Sequence, residues 1–293
     1  MPGSGRPWLV LGGTGLLGAR LVRQLRTQGQ VVETVARQNA DHQLDLTDGA
    51  AVQRLLTDTR PSVVINCAAM VSLAACEAEP DRAQALHSDL VRVLTEVLSP
   101  DQTRLVHIST DHIYAGEGAA AHTESSQIQP YNIYAKTKLS GESFALGYSN
   151  VLIFRTNFTS AVKHNEALPF GAWVLKTARE QGEITGFADA YCSLLDVETA
   201  AKAILEAAVM PITGLYNLGA SDVFSKLKFI QELLKQAEVA AEVKTGTVAG
   251  LVPPRVRAGG MDSRKLQAHL PWSLPNLNSV CAQLVAEETR HAI

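Results

Sequence analysis

The sequence predicts an α/β protein, a doubly wound parallel sheet followed by a smaller C-terminal lobe. Three observations carry this reading. Short apolar runs alternate with helix-patterned stretches as far as residue 155. The runs are rich in β-branched residues and lack strict polar alternation, as strands buried on both faces require. The first run passes directly into a glycine-rich turn that opens a helix.

In order, WLVLG (8–12) reads as the first strand, and a helical pattern runs from the following turn through Gln28. VVETVA (31–36) is the second strand, with a helix starting near Asp48. SVVINCA (62–68) is the third, followed by a helix between Pro80 and Leu98. RLVHIS (104–109), a Gly/Ser-rich loop, a helix carrying Tyr134 and NVLIFR (150–155) complete the series. Such regular alternation implies right-handed crossovers and a parallel sheet. Beyond Arg155 the rhythm changes. Helices near 168–181 and from Asp196 to Val209 precede the strand-like GLYNL (214–218), and the remainder is helical, with proline breaks at 253–254 and 271–275. Residues 1–155, with 191–218 returning to them, are expected to form one domain. Residues 156–190 and 219–293 are expected to form the smaller, substrate-binding lobe.

A chain of 293 residues that is 46% hydrophobic can bury a sizeable core. Its formal net charge of −3, with no run of Lys and Arg, sets aside nucleic acid and anionic membrane surfaces as partners. Cys67, Cys76, Cys192 and Cys281 form no CxxC or Cys/His cluster, so free thiols in a reduced compartment are expected, with no metal site. Glycines break the N-terminal apolar run, unlike a signal peptide, and no later run reaches the length of a membrane span. A soluble, cytoplasmic protein is expected.

Gly12-Gly13-Thr14-Gly15-Leu16-Leu17-Gly18 sits between a strand and a helix. Glycines there allow a tight turn and let backbone N–H groups approach a pyrophosphate at the positive end of a helix. This is a dinucleotide site of the Rossmann kind. The end of the second strand chooses the cofactor, because an acid there would hold a ribose 2′-hydroxyl. Glu33 lies mid-strand, and the strand ends at Ala36-Arg37. An arginine can meet a 2′-phosphate, so NADP(H) is preferred and NAD(H) stays open. Arg37 as a solvated loop charge is the competing reading.

Tyr134 and Lys138 stand four residues apart and therefore share a helix face. Alone they read as an ordinary surface pair. With GGTGLLG, Asp45-Leu46-Thr47-Asp48, Asn66-Cys67-Ala68-Ala69, STDHIY (109–114) and NIYAKTK (132–138), in that order, the chain resembles the extended short-chain dehydrogenases/reductases. Within them it looks most like the dTDP-4-dehydrorhamnose reductase family, over nearly its whole length.

The resemblance implies roles. Tyr134 would donate the proton to a carbonyl under reduction. Lys138 would supply positive charge to the phenol and bind the nicotinamide ribose, and Thr110 would hydrogen-bond the substrate oxygen. A phenol has an ordinary pKa near 10, about three units above neutrality, so help of this kind is needed. The cofactor would be lined by Gly12, Thr14, Gly15, Leu16, Leu17, Gly18, Arg37, Asp45, Leu46, Cys67, Ala68, Ala69 and Ser109, together with Tyr134 and Lys138. Asp111, Asn157 and Phe158 would face substrate, Phe158 standing where the reductases often have tryptophan. Arg255, seven residues before Asp262-Ser263, would meet the diphosphate of a nucleotide sugar. A homodimer is compatible with the family.

Asp111-His112 replaces the Asp-Glu pair of related nucleotide-sugar dehydratases, which disfavours water elimination. Other departures bear on the site. His87 stands where the family has asparagine, Ala74 replaces an aspartate, and Val256 replaces a proline. Cys192-Ser193-Leu194-Leu195 replaces a Gly-x-Pro-Thr-like segment. The implied activity is NADPH-dependent reduction of a 4-keto sugar nucleotide or related ketone. A catalytically idle NADP-binding regulatory subunit and a sugar-nucleotide 4-epimerase are the alternatives.

Overall fold

A computed structural model describes residues 5–166 and 168–291, and in it the apolar run WLVL forms strand β1 (Trp8–Leu11), buried along its whole length. The chain continues through α1 (Leu16–Thr27), β2 (Val32–Ala36), β3 (His42–Gln43), α2 (Gly49–Thr59) and β4 (Val63–Asn66). Then come α3 (Leu73–Ala78), α4 (Pro80–Gln84), a π-helical turn at Ala85–Asp89, α5 (Leu90–Val97) and β5 (Arg104–Thr110). A 3₁₀ turn at Asp111–Ile113 leads towards α6 (Ile133–Leu146), β6 (Val151–Thr156) and β7 (Phe158–Thr159). There follow α7 (Phe170–Gln181), β8 (Glu183–Phe187), β9 (Tyr191–Cys192), β10 (Leu195–Asp196), α8 (Val197–Ala208) and β11 (Gly214–Leu218). The remainder holds β12 (Phe224–Ser225), α9 (Lys226–Gln236), β13 (Glu242–Gly246), β14 (Ala258–Gly259), α10 (Arg264–Gln267) and α11 (Leu277–His291).

Seven strands form one sheet in the order β11-β6-β5-β4-β1-β2-β3. β1 pairs in parallel with β2 and β4, β4 with β5, and β2 with β3. The strand order runs outward from β1 in both directions, which is the doubly wound arrangement. Leu9, Leu11, Val64, Leu105 and Ile153 of these strands join Leu90 and Leu94 of α5 in one buried core. Helix starts follow local chemistry. Asp48 caps α2 by accepting the Ala51 N–H at 3.0 Å, and Asn132 caps α6 by accepting that of Ala135 at 2.8 Å. The two-residue β3 was not visible in the sequence, so the run at 150–155 is the sixth strand in chain order.

The chain divides into two compact units. The first comprises the chain up to Thr110, Pro130–Arg155 and Ala201–Tyr216, and the second Asp111–Gln129, Thr156–Ala200 and the chain from Asn217. The sequence reading kept 111–129 and 191–200 with the dinucleotide domain, whereas the structure assigns both to the second unit. A bridge from Tyr114 to Ile128 closes the first of these segments on itself, and one from His122 to Met261 joins it to its neighbour there. The second unit also contains a three-stranded sheet β12-β9-β14 and the parallel pairs β8–β13 and β7–β10. Among the described residues no helix is long and apolar enough to cross a membrane, and no cluster of His, Cys, Asp and Glu could hold a metal.

Candidate active site

In the first unit, β1 delivers the chain into the glycine turn. The Gly12 N–H bonds Val35 O at 2.8 Å, and the Gly15 N–H closes back on Gly12 O at 2.9 Å. Gly15 brings no side chain to cap α1, and the first helical turn carries no acid. That helix end is therefore suited to an anion. Gly18 is demanded by packing, since a Cβ there would stand 2.2 Å from Gly12 O. Leu17 is buried, with Leu16 half-buried ahead of it.

The ribose end has two carboxylates near β2, and both are engaged. Glu33 Oε2 lies 2.6 Å from His42 Nε2, so the strand acid turns to its neighbour β3. Asp41 Oδ2 accepts the Thr34 N–H at 2.9 Å and the Thr34 hydroxyl at 2.7 Å, which holds its carboxyl below the usual range. Arg37 is exposed directly after β2. Asp45 accepts the Thr47 N–H at 3.0 Å and hydroxyl at 2.9 Å, and these bonds, followed by the charges of Arg82 and Arg37, lower its pKa. Leu46 beside it is buried.

Past β4, Asn66 Oδ1 accepts the Ala68 N–H at 3.2 Å and so shapes the Cys67-Ala68-Ala69 turn. Burial pushes the Cys67 thiol up to about 12, so it stays protonated at neutral pH. The next backbone N–H, of Met70, donates to His87 Nε2 at 2.8 Å. That bond fixes the tautomer, because the accepting nitrogen carries no hydrogen. His87 Nδ1–H must then donate to Thr137 Oγ1, 2.8 Å away, while the threonine hydroxyl donates to Ile133 O at 2.9 Å. His87 is fully buried, and its pKa falls to about 3, first through burial and then through Lys138. It is a neutral strut between the β4 loop and α6.

Helix α6 is anchored at its start, where Glu77 Oε1 accepts the Ile133 N–H at 2.9 Å. Tyr134 is half-buried, and its ring meets that of His87 edge-on at 5.6 Å between centroids. One turn on, Lys138 is buried and donates from Nζ to the carbonyl of Ile108. Burial lowers its pKa to about 8, against the opposing influence of Cys67 and Glu142, so it is mainly cationic at neutral pH. Thr110 is buried at the end of β5, two residues past that carbonyl. The structure thus gathers Thr110, Tyr134 and Lys138 on β5 and α6 of one unit. Ser109 does not face outward to a cofactor. Its hydroxyl donates to Glu142 Oε2 at 2.8 Å.

The remaining predicted residues lie in the second unit. Asp111 is buried, and its Oδ2 accepts from Asn157 Nδ2 at 2.7 Å. Burial lowers the His112 pKa, a trend that Asp111 opposes and that Lys226 and Arg255 reinforce. Lys226 was missed in the sequence. It opens α9, with Nζ 4.4 Å from the centroid of the Phe170 ring. Phe158 is half-buried on β7, paired with Leu195 of β10. Arg155, just before this segment, turns inward to Glu142.

The RmlD substrate binding domain model matches residues 7–290. The chain belongs to that family. A dTDP-4-dehydrorhamnose reductase of Salmonella typhimurium is 28% identical over 91% of this chain and 93% of its own length. A hypothetical dTDP-4-dehydrorhamnose reductase of Sulfolobus tokodaii, known by crystal structure, is 28% identical with a TM-score of 0.83 over 92% of this chain and 97% of that one. A dTDP-4-dehydrorhamnose reductase of Bacillus anthracis, solved in complex with NADP, reaches 0.86 at 21% identity over 97% and 100% of the two chains. RmlD family membership over nearly the whole chain agrees with the resemblance carried by GGTGLLG, STDHIY and NIYAKTK.

Proposed function

We propose that the protein is an NADPH-dependent reductase of a 4-keto sugar nucleotide or a related ketone. The observation that carries this is the buried Lys138, fixed to the Ile108 carbonyl one helical turn from the half-buried Tyr134, with Thr110 ending the same strand. RmlD family membership and the reductase names of its relatives support the reaction class. Exposed Arg37, with Glu33 and Asp41 already bonded, favours the 2′-phosphate of NADPH, and the NADP complex of a structural neighbour agrees.

The glycine turn and the uncapped start of α1 fit a pyrophosphate, with Ala68 and Ala69 beyond β4 and Lys138 towards the ribose. When bound, the cofactor supplies a hydride. Thr110 donates a hydrogen bond to the ketone oxygen as charge develops on it. Tyr134 gives that oxygen its proton, and Lys138 stabilises the phenolate left behind. Asn157, Phe158 and Arg255 of the second unit are assigned to the sugar nucleotide, Arg255 to its diphosphate. A second reading, an idle NADP-binding regulator, is favoured by one observation. Both nitrogens of His87, which replaces the family's asparagine, are used up in structural bonds.

The test is Tyr134→Phe. Turnover of a dTDP-4-keto sugar should fall by roughly 10²–10⁴, with NADPH affinity nearly unchanged. Retention of more than about a tenth of the activity would remove Tyr134 as the acid.

A further inference from the structure

Glu142 and Arg155 are 1% and 2% exposed, and the chemistry above uses neither. Arg155 Nη2 donates to Glu142 Oε1 at 2.5 Å and Arg155 Nε to Oε2 at 3.1 Å, while Ser109 Oγ donates to Oε2 at 2.8 Å. The carboxylate therefore has partners on β5 and β6. Tyr134, Lys138 and Glu142 follow at four-residue intervals, so they form one stripe along α6. Lys138 bonds the carbonyl of Ile108, and Glu142 the hydroxyl of the next residue, Ser109. The helix is thus fastened at two consecutive residues of β5, immediately before Thr110.

Fastening alone does not require ions. An apolar pair of similar volume would serve stability as well or better, because burying two charges costs desolvation. What an apolar pair would not supply is a carboxylate one helical turn from a buried ammonium. The other titratable groups around Lys138 give no such charge. His87 of the π turn and His107 of β5 are kept neutral by burial, and the Cys67 thiol past β4 is pushed up to about 12. Cys67 and then Glu142 favour the charged form of Lys138, and of the two only Glu142 is a carboxylate, with Arg155 behind it.

We propose that Glu142 and Arg155 are positioning residues for Lys138, the carboxylate keeping the ammonium charged and in register with the Thr110 strand and the guanidinium holding the carboxylate in place. The functional consequence rests on the reductase reading; the electrostatic one does not.

The test follows the Lys138 side chain by heteronuclear NMR of its Cε, identified by its loss in Lys138→Met, in the full chain across pH. In Glu142→Gln, which keeps shape and an acceptor, the Lys138 titration should move down by about one pH unit. In Glu142→Leu with Arg155→Leu, which removes both charges and keeps the site apolar, it should lie between that variant and the parent. If Glu142→Gln does not fold, the double variant carries the test alone. An unmoved Lys138 titration in a folded variant overturns the proposal whatever the reaction is. With a ketone substrate in hand, the alkaline limb of kcat/KM should shift by the same amount as the NMR titration. A titration that moves while that limb stays fixed would instead count against Lys138 acting in the reductase reaction.

Discussion

At the scale of single residues, His87 shows how a titratable side chain can be stripped of its titration. Its Nε2 accepts from Met70 and its Nδ1 donates to Thr137, so protonating it would break the first bond and place a charge beside Lys138. The sign of the pH effect follows. The pKa drops from the ordinary 6.5 to about 3 on folding, so between those values the unfolded chain binds a proton that the folded chain refuses. The stability His87 contributes is present above 6.5 and is lost progressively as pH falls towards 3. Urea unfolding at a series of pH values should therefore show a shallower slope in His87→Gln, by on the order of 1 kcal/mol per pH unit within that window. Equal slopes in parent and variant would show that the histidine titrates normally. The position of His87 and its difference from the family's asparagine were legible in the sequence. Its neutrality was not, because that depends on a backbone N–H seventeen residues away.

At the scale of elements, α6 is held by its start, its middle and its end. Asn132 and Glu77 satisfy its first N–H groups, His87 and Ile108 take Thr137 and Lys138, and Ser109 and Arg155 take Glu142. It also lies close against the π turn, since a Cβ on Gly141 would stand 2.0 Å from His87 O. The sequence reading placed one helix between Pro80 and Leu98. The structure keeps this stretch helical from α4 to α5 with a π turn between them, and the π turn carries His87. Such wide turns occur often at functional sites, and no local propensity announces them. Gly141→Ala should destabilise by about 1–3 kcal/mol through overpacking, seen as a lowered thermal midpoint. Lys136→Ala, on the exposed side of the same helix, should be nearly neutral, within about 0.5 kcal/mol. A Gly141→Ala melt indistinguishable from that control would mean that the two elements part easily.

At the scale of the molecule, the residues assigned to the proposed chemistry come from both units. The glycine turn, Thr110, Tyr134 and Lys138 belong to the first, and Asp111, Asn157, Phe158 and Arg255 to the second. A reductase must bring cofactor and ketone together, so their binding energies should be linked, and reciprocally. Calorimetry should find that NADPH tightens binding of a dTDP-sugar by roughly 5–150-fold and that the sugar nucleotide tightens NADPH equally. The same titrations should give NADPH a lower Kd than NADH. No linkage, with a partner protein bound in place of any nucleotide sugar, would favour the idle regulator.

What the sequence determined by itself is local or periodic. Strand and helix alternation gave the sheet class, glycines between β1 and α1 gave the dinucleotide turn, and the spacing of four gave Tyr134 and Lys138 a common face. Each of these is written in consecutive residues, where backbone geometry converts spacing into direction. The tertiary structure decided what lies behind them. Glu142 stood in plain view four residues past Lys138, yet its meaning needed Ser109 and Arg155 from two other strands. Arg155 closes a strand-like run in the sequence and is buried as its partner. Segment 111–129 was counted with the first domain and pairs with the second unit. The physical reason is common to all three. Burial and ionic partners are set by which distant elements pack together, and a charge near the surface in sequence terms becomes a core group only when its partner arrives.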